Sequence, residues 1–242
     1  MAKHGILRNG TRALALKGVP RLVSLVTGIE RSAISKPILH GWLELEGPDP
    51  EVWDGPIFIH VPKAAGSSVL RTGVKYTLGH KPVRYYLRHK PADRAMPATF
   101  AIARDPMDRF VSAFYYLKGG GSTGQDRRWS QRNIAPDMTH NDFAEHLESH
   151  PRLLRQMHFR PQAYMLKDDA GKIAVDRILK FEMLDTDWPP FARVHGLVED
   201  LPRVNVGSRG SRVRPETSDR TKEIIARLYA EDFTILGYAP PA

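Results

Sequence analysis

The apolar positions fall into short unbroken runs alternating with longer stretches of helical spacing. Ile57-Phe58-Ile59-His60-Val61 and Thr99-Phe100-Ala101-Ile102-Ala103 predict buried strands at 57–61 and 99–103. Val83-Arg84-Tyr85-Tyr86-Leu87-Arg88-His89 is β-branched and aromatic and predicts a strand over 83–89. Arg177-Ile178-Leu179-Lys180-Phe181-Glu182 predicts another. Between them, Val69, Leu70 and Val74 carry a helix over 67–78. Asp105 as N-cap and Pro106 at the first helical position open a second helix, whose inner face is Phe110, Val111, Phe114 and Leu117. Thr139 and Asp142 form a capping box for a helix through Leu147. Residues 151–166 read as helical with a break at Pro161, and further helices are expected over 187–197 and 217–231. The Gly-rich, polar stretch 119–137 predicts a mobile loop, and 202–216 a basic one. Strands alternating with helices predict an α/β fold, P-loop-like and three-layered, with a central, mainly parallel sheet flanked by helices. Ligands in such folds sit beyond the carboxyl ends of the strands.

Composition narrows the partners. The 242 residues carry 36 Lys and Arg against 27 Asp and Glu, a net charge of +9. That excess suits an anionic partner. Cysteine is absent, which removes disulfides, thiol nucleophiles and Cys-ligated metals and fits a reducing compartment. No run approaches the roughly 18 apolar residues of a membrane span, and the N-terminus lacks a continuous signal core. The expected location is therefore cytoplasmic. Residues 1–50 read as a basic leader or helical appendage ending in Gly47-Pro48-Asp49-Pro50. Such a leader can pack on the domain or lie on a membrane as a weak amphipathic helix.

Two stretches carry candidate chemistry. After strand 57–61 come Pro62-Lys63-Ala64-Ala65-Gly66-Ser67-Ser68, a small-residue loop running into a helix. Free amides and the dipole of a helix N-terminus attract anions. Gly66 lets backbone approach a ligand, Ser67 and Ser68 add hydroxyls, and Lys63 adds a point charge. The loop is not a Walker A, because Lys63 precedes Gly66 instead of following a longer glycine-rich run. The second stretch is Arg104-Asp105-Pro106-Met107-Asp108-Arg109-Phe110-Val111-Ser112. Arg104 at a strand end and Ser112 two helical turns on can converge on a second anion. Two anion sites at neighbouring strand ends suit a nucleoside phosphorylated at both ends.

In these two stretches the chain resembles the sulfotransferases that use 3′-phosphoadenosine 5′-phosphosulfate (PAPS), in particular the carbohydrate-type branch with its heparan- and chondroitin-type members. Weaker matches are Arg160-Pro161-Gln162-Ala163-Tyr164, Ile178 to Leu184, Leu201 to Asn205 and Leu228 to Phe233. They extend the resemblance over about residues 55–240 and mark 51–242 as the catalytic domain. The resemblance implies a sulfuryl transfer from PAPS to an acceptor hydroxyl on a carbohydrate, with no metal. Lys63 would face the bridging oxygen. Ala64, Ala65, Gly66, Ser67 and Ser68 would hold the 5′-phosphate, and Arg104 and Ser112 the 3′-phosphate. Arg209, Arg212 or Arg214 would close over the nucleotide. A base is needed on the acceptor side. His89 is the first choice, at the end of the expected strand 83–89 and where carbohydrate-type members often place a His. His80 is the reserve, while His60 reads as structural and Glu182 as a support of the nucleotide pocket. The loop residues Arg127, Arg128, Trp129 and Arg132 can meet an anionic sugar or remain solvated. Two other classes stay open: a P-loop kinase or NTPase with Asp105 in the Walker B role, and a non-catalytic polyanion binder. No nucleic-acid-binding motif is visible.

Overall fold

Three short strands pair side by side, all parallel: β1 (Ile57–Ile59), β2 (Thr99–Ala103) and β3 (Arg177–Lys180), in the order β1-β2-β3. The computed structural model describes residues 55–92, 95–204 and 215–241. The leader 1–50 and the candidate residues Arg209, Arg212 and Arg214 lie outside them. Every residue of β1 and β2 is buried, as a parallel sheet covered on both faces requires. A side-chain knot ties the start of the sheet. Asp176 accepts from the Thr99 amide and hydroxyl at 2.7 Å each, and the Asp176 amide donates to the same hydroxyl at 2.9 Å. The fold is the expected α/β one, a central parallel sheet flanked by helices.

The described helices are α1 (Gly66–Val69), α2 (Val83–His89), α3 (Pro106–Lys118), α4 (Gly124–Asn133), α5 (His140–Ser149), α6 (Ala163–Leu166), α7 (Leu184–Val194), α8 (Asp219–Leu228) and α9 (Ala230–Leu236). Short 3₁₀ turns add Pro151–Arg155 and Phe181–Met183. Two apolar cores result. One surrounds the sheet, with Phe58, Phe100, Tyr86 and Trp188. The other joins α3, α5, α8 and α9 through Phe110, Phe114, Phe143, Ile225 and Phe233. Helix α3 starts as its sequence dictates: the Asp105 carboxylate accepts from the Asp108 amide at 3.0 Å, with Pro106 at the first helical position.

Three expectations are corrected. The segment expected as strand 83–89 is helix α2. Its buried residues are Val83 and Tyr86, three apart, so one side of a helix faces the core. The helix expected over 67–78 is the single turn α1. The chain turns at Gly73, φ +88°, and returns extended, so that the Phe58 amide donates to Tyr76 O at 2.9 Å along the β1 edge. The loop expected over 119–137 contains α4. A full capping box opens it: the Asp126 amide donates to the Thr123 hydroxyl, and the Asp126 carboxylate accepts from the Thr123 amide. In addition, β3 stops at Lys180, and the expected last helix divides into α8 and α9 at Tyr229.

Candidate active site

The carboxyl ends of β1 and β2 lie beside each other, so the loops that leave them share one side of the sheet. Leaving β1, the loop 60–68 holds Lys63 at φ 68° and Ala65 at φ 54°, the two described non-glycine residues in left-handed backbone. Each costs on the order of 1–3 kcal/mol, and such strain persists only where the surroundings hold it. Left-handed residues alternating with ordinary ones turn successive amides toward one side, a concavity suited to an anion. No side chain caps α1. With one turn of helix the macrodipole is small, so the loop backbone takes the place of the longer helix expected as the candidate anion cradle. Ser67 is exposed. Ser68 is buried, and its hydroxyl accepts from the Val204 amide at 3.5 Å, which brings the start of the basic segment to the cradle.

Gly66 has a second reason to lack a side chain. A Cβ there would stand 1.7 Å from His60 Nε2, 2.3 Å from Cδ2 and 2.6 Å from Cε1. The space Gly66 leaves is filled by the chain's own imidazole.

Leaving β2, Arg104 is fixed at its backbone. Its amide donates to Gln162 Oε1 at 3.0 Å and its carbonyl accepts from Gln162 Nε2 at 2.7 Å. Gln162 is held in turn by Asp232, whose carboxylate accepts from the Gln162 and Ala163 amides at 2.7 and 2.8 Å. The next amide, Asp105, donates to Glu182 Oε1 at 2.9 Å, and Tyr238 donates its hydroxyl to Glu182 Oε2 at 2.6 Å. Glu182 thus ties the start of α3 to Tyr238. The Arg104 guanidinium rests on Phe181 at 4.4 Å, and its Nη1 lies 3.5 Å from Lys63 O, so the two stretches meet. Arg104 Nε is buried without a hydrogen-bond partner. Asp108 stands on the exposed side of α3 with its carboxylate 3.7 Å from the Arg104 guanidinium. Ser112 is 3% exposed within α3. Arg109 is fully buried and donates to His158 O at 3.0 Å and Arg160 O at 2.9 Å, stitching the segment before Gln162 to α3.

Beside Lys63 lies a cluster that sequence reading missed. The Lys63 ammonium is 3.9 Å from the Tyr116 ring centre. The Tyr116 hydroxyl donates to Asp126 Oδ2 at 3.1 Å. Asp126 Oδ1 is 3.4 Å from His158 Nε2, and the Tyr116 and His158 rings are 4.7 Å apart. The His158 ring is 6.3 Å from that of His80, which is 4.1 Å from that of His60. Burial lowers all three histidines, His60 to about 3 and His158 to about 4; His80 adds to the effect on both of these, while His60 O and Asp126 partly oppose it at His80. They are therefore neutral near pH 7. Asp126 lies below the ordinary carboxylate range: burial opposes this, and the Thr123 hydroxyl and His158 outweigh it. His80 Nδ1 is 2.9 Å from His60 O. A carbonyl only accepts, so Nδ1 carries the proton and Nε2 keeps its lone pair. His89 ends α2 with Nδ1 2.7 Å from Tyr85 O and its ring stacked on Tyr85 at 4.2 Å. Those contacts lie within its own helix. The Thr123–Asp126 capping box was the legible signal for part of the cluster, while His158 had none.

Among the described residues, no three His, Asp or Glu side chains are grouped to hold a metal ion, and no helix is long and apolar enough to cross a membrane. No curated protein and no solved structure matches the chain. The model of the Sulfotransferase family matches residues 55–239, which include β1 with its strained loop, Arg104 and every strand of the sheet. The chain belongs to the Sulfotransferase family.

Proposed function

We propose that the protein transfers a sulfuryl group from PAPS to a hydroxyl of a carbohydrate acceptor. The observation that carries this reading is the meeting of the two anion-seeking stretches, with Arg104 Nη1 3.5 Å from Lys63 O. One donor with a phosphosulfate at one end and a phosphate at the other spans both. The amides of Ala64 to Ser67 hold the 5′-phosphate, Ser68 anchors the closing segment, and Arg104 takes the 3′-phosphate through its guanidinium, together with Ser112. Arg209 and Arg212 remain the proposed closing residues. Asp105 is engaged in capping α3, which disfavours the kinase alternative. The cysteine-free composition suits the cytoplasm.

In the reaction, the acceptor oxygen attacks sulfur in line as the bond from sulfur to the bridging phosphate oxygen breaks. Lys63 stabilises the charge that grows on that oxygen, a contribution that is largest where the donor is preorganised. The acceptor proton passes to a neutral imidazole. His80 Nε2 is the better-placed base. Its tautomer is fixed by His60 O and its ring belongs to the cluster that reaches Lys63, whereas the strand expected to present His89 is a helix.

Calorimetry with 3′-phosphoadenosine 5′-phosphate in the presence of a chelator tests the donor. Wild type is expected to bind, and Arg104→Ala to weaken binding at least tenfold, since a charge-assisted hydrogen bond contributes about 1.5–3 kcal/mol. A wild type that does not bind overturns the reading. With labelled PAPS and a panel of saccharides, His80→Ala is expected to lower turnover by about 10²–10⁴ at unchanged nucleotide affinity. A loss in His89→Ala with His80→Ala active returns the base role to His89.

A further inference from the structure

On the flank of the segment that carries Gln162, a groove of about 600 Å³ opens between α2, the turn Pro151–Arg155, α6 and Glu231. Arg84, Arg155, Arg160 and Lys167 line it, together with Tyr164, Asp168, Asp169 and Glu231. The acidic groups are already engaged. Glu231 pairs with Lys167 and Asp169 with Arg88. Asp168 Oδ1 accepts from the Ala170 and Lys172 amides at 2.9 Å each, closing its own turn. Arg84, Arg155 and Arg160 form no ion pair among the described residues.

Two of these guanidiniums are oriented in advance. Arg84 lies 3.9 Å and Arg160 4.3 Å from the centre of the Tyr164 ring. Arg84 Nη1 donates to Tyr164 O at 3.0 Å and Arg160 Nη2 to Arg155 O at 2.7 Å. Each guanidinium has five N–H donors in a rigid fork, so most remain for a ligand. Arg84, Arg155, Arg160 and Lys167 set four cations against the three carboxylates of Asp168, Asp169 and Glu231, and an oxyanion among the arginines offsets their mutual repulsion. Backbone fixation and stacking keep the arginines from turning away.

We propose that this groove is a second anion site, separate from the cradle at Lys63, which takes a sulfate or phosphate ester on a small hydroxylated ligand. The volume admits a ligand of sugar size, and the arginine forks match a tetrahedral oxyanion. The proposal does not rest on the sulfuryl-transfer reading.

Titration of the full chain with glucose 6-sulfate, glucose 6-phosphate and inorganic sulfate at constant ionic strength tests it, with glucose as the neutral control. Both esters are expected to bind and glucose not to. Arg84→Gln and Arg160→Gln are each expected to weaken ester binding at least tenfold. Lys63→Ala, in the cradle, is expected to leave it unchanged. Inorganic sulfate binding as tightly as the esters, with the same loss in both arginine variants, supports an oxyanion site and assigns its affinity to the anion alone. Ester binding that survives both arginine variants, or that disappears in Lys63→Ala, overturns the proposal. Arg155→Gln, on an exposed turn, repeats the test should either stacked arginine prove necessary for folding.

Discussion

A Gly66→Ala variant is expected to lose about 3 kcal/mol of stability, the upper part of the range for forcing atoms into a packed interior. The added methyl would stand 1.7 Å from His60 Nε2, about half an ordinary contact distance. Neither partner can yield cheaply. His60 is stacked on Phe58 at 5.1 Å and faces His80 at 4.1 Å. Gly66 follows Ala65, whose left-handed conformation already strains the loop. The displacement would therefore fall on the amides of the anion cradle, and nucleotide affinity should fall with stability. Chemical unfolding of Gly66→Ala, His60→Ala and the double variant checks the cause. The double variant should be more stable than the sum of the single losses predicts, because removal of the ring makes room for the methyl. Additive losses, or a Gly66→Ala protein as stable as wild type, would refute the account.

Mild acid should destabilise the protein before its carboxylates titrate. Unfolded histidines titrate near 6.5, while burial sets folded His60 at about 3 and His158 at about 4. As pH falls below 6.5 the unfolded chain takes up protons that the folded chain refuses, so the equilibrium moves toward unfolding. The stabilising contribution is complete above pH 6.5 and is lost progressively down to the folded values. At pH 5 each group has lost about 2 kcal/mol, a large share of a typical 5–15 kcal/mol total. His80, also lowered by burial, acts in the same direction. Asp105 and Asp232, raised by burial, act in the opposite one at the pH where carboxylates titrate. Melting temperature from pH 8 to 4.5 reads the balance. A steep fall between 6.5 and 5 is expected, shallower in His158→Gln, and a level profile in the wild type would contradict it.

Legibility in the sequence followed the kind of force at work. The sheet was readable because β1 and β2 are apolar at nearly every position, and the start of α3 because its cap is a local hydrogen bond. Segment 83–89 misled because its composition favours strands, although Val83 and Tyr86 have helical spacing and it is their burial that fixes the helix. Helix α4 was hidden because its buried residues, Asp126 and Ser130, are polar. At the site, Lys63 and Arg104 stood out as charges at strand ends. His158 and Tyr116 did not, since what unites them with Asp126 and His80 is tertiary contact between segments distant in the chain. The basic loop 119–137 was read for its charge, and its structural core is the capping carboxylate.

The sheet order has a kinetic consequence. Strand β2 lies between β1 and β3, which come from distant parts of the chain, so neither pairing is local. Two long loop closures must be completed before the strand that carries Arg104 gains both neighbours. Gln162, which fixes Arg104, and Glu182, which accepts from the next amide, Asp105, lie before and after β3 in sequence. The loop that leaves β1 and Arg104, which leaves β2, are therefore brought together only after a long loop has closed.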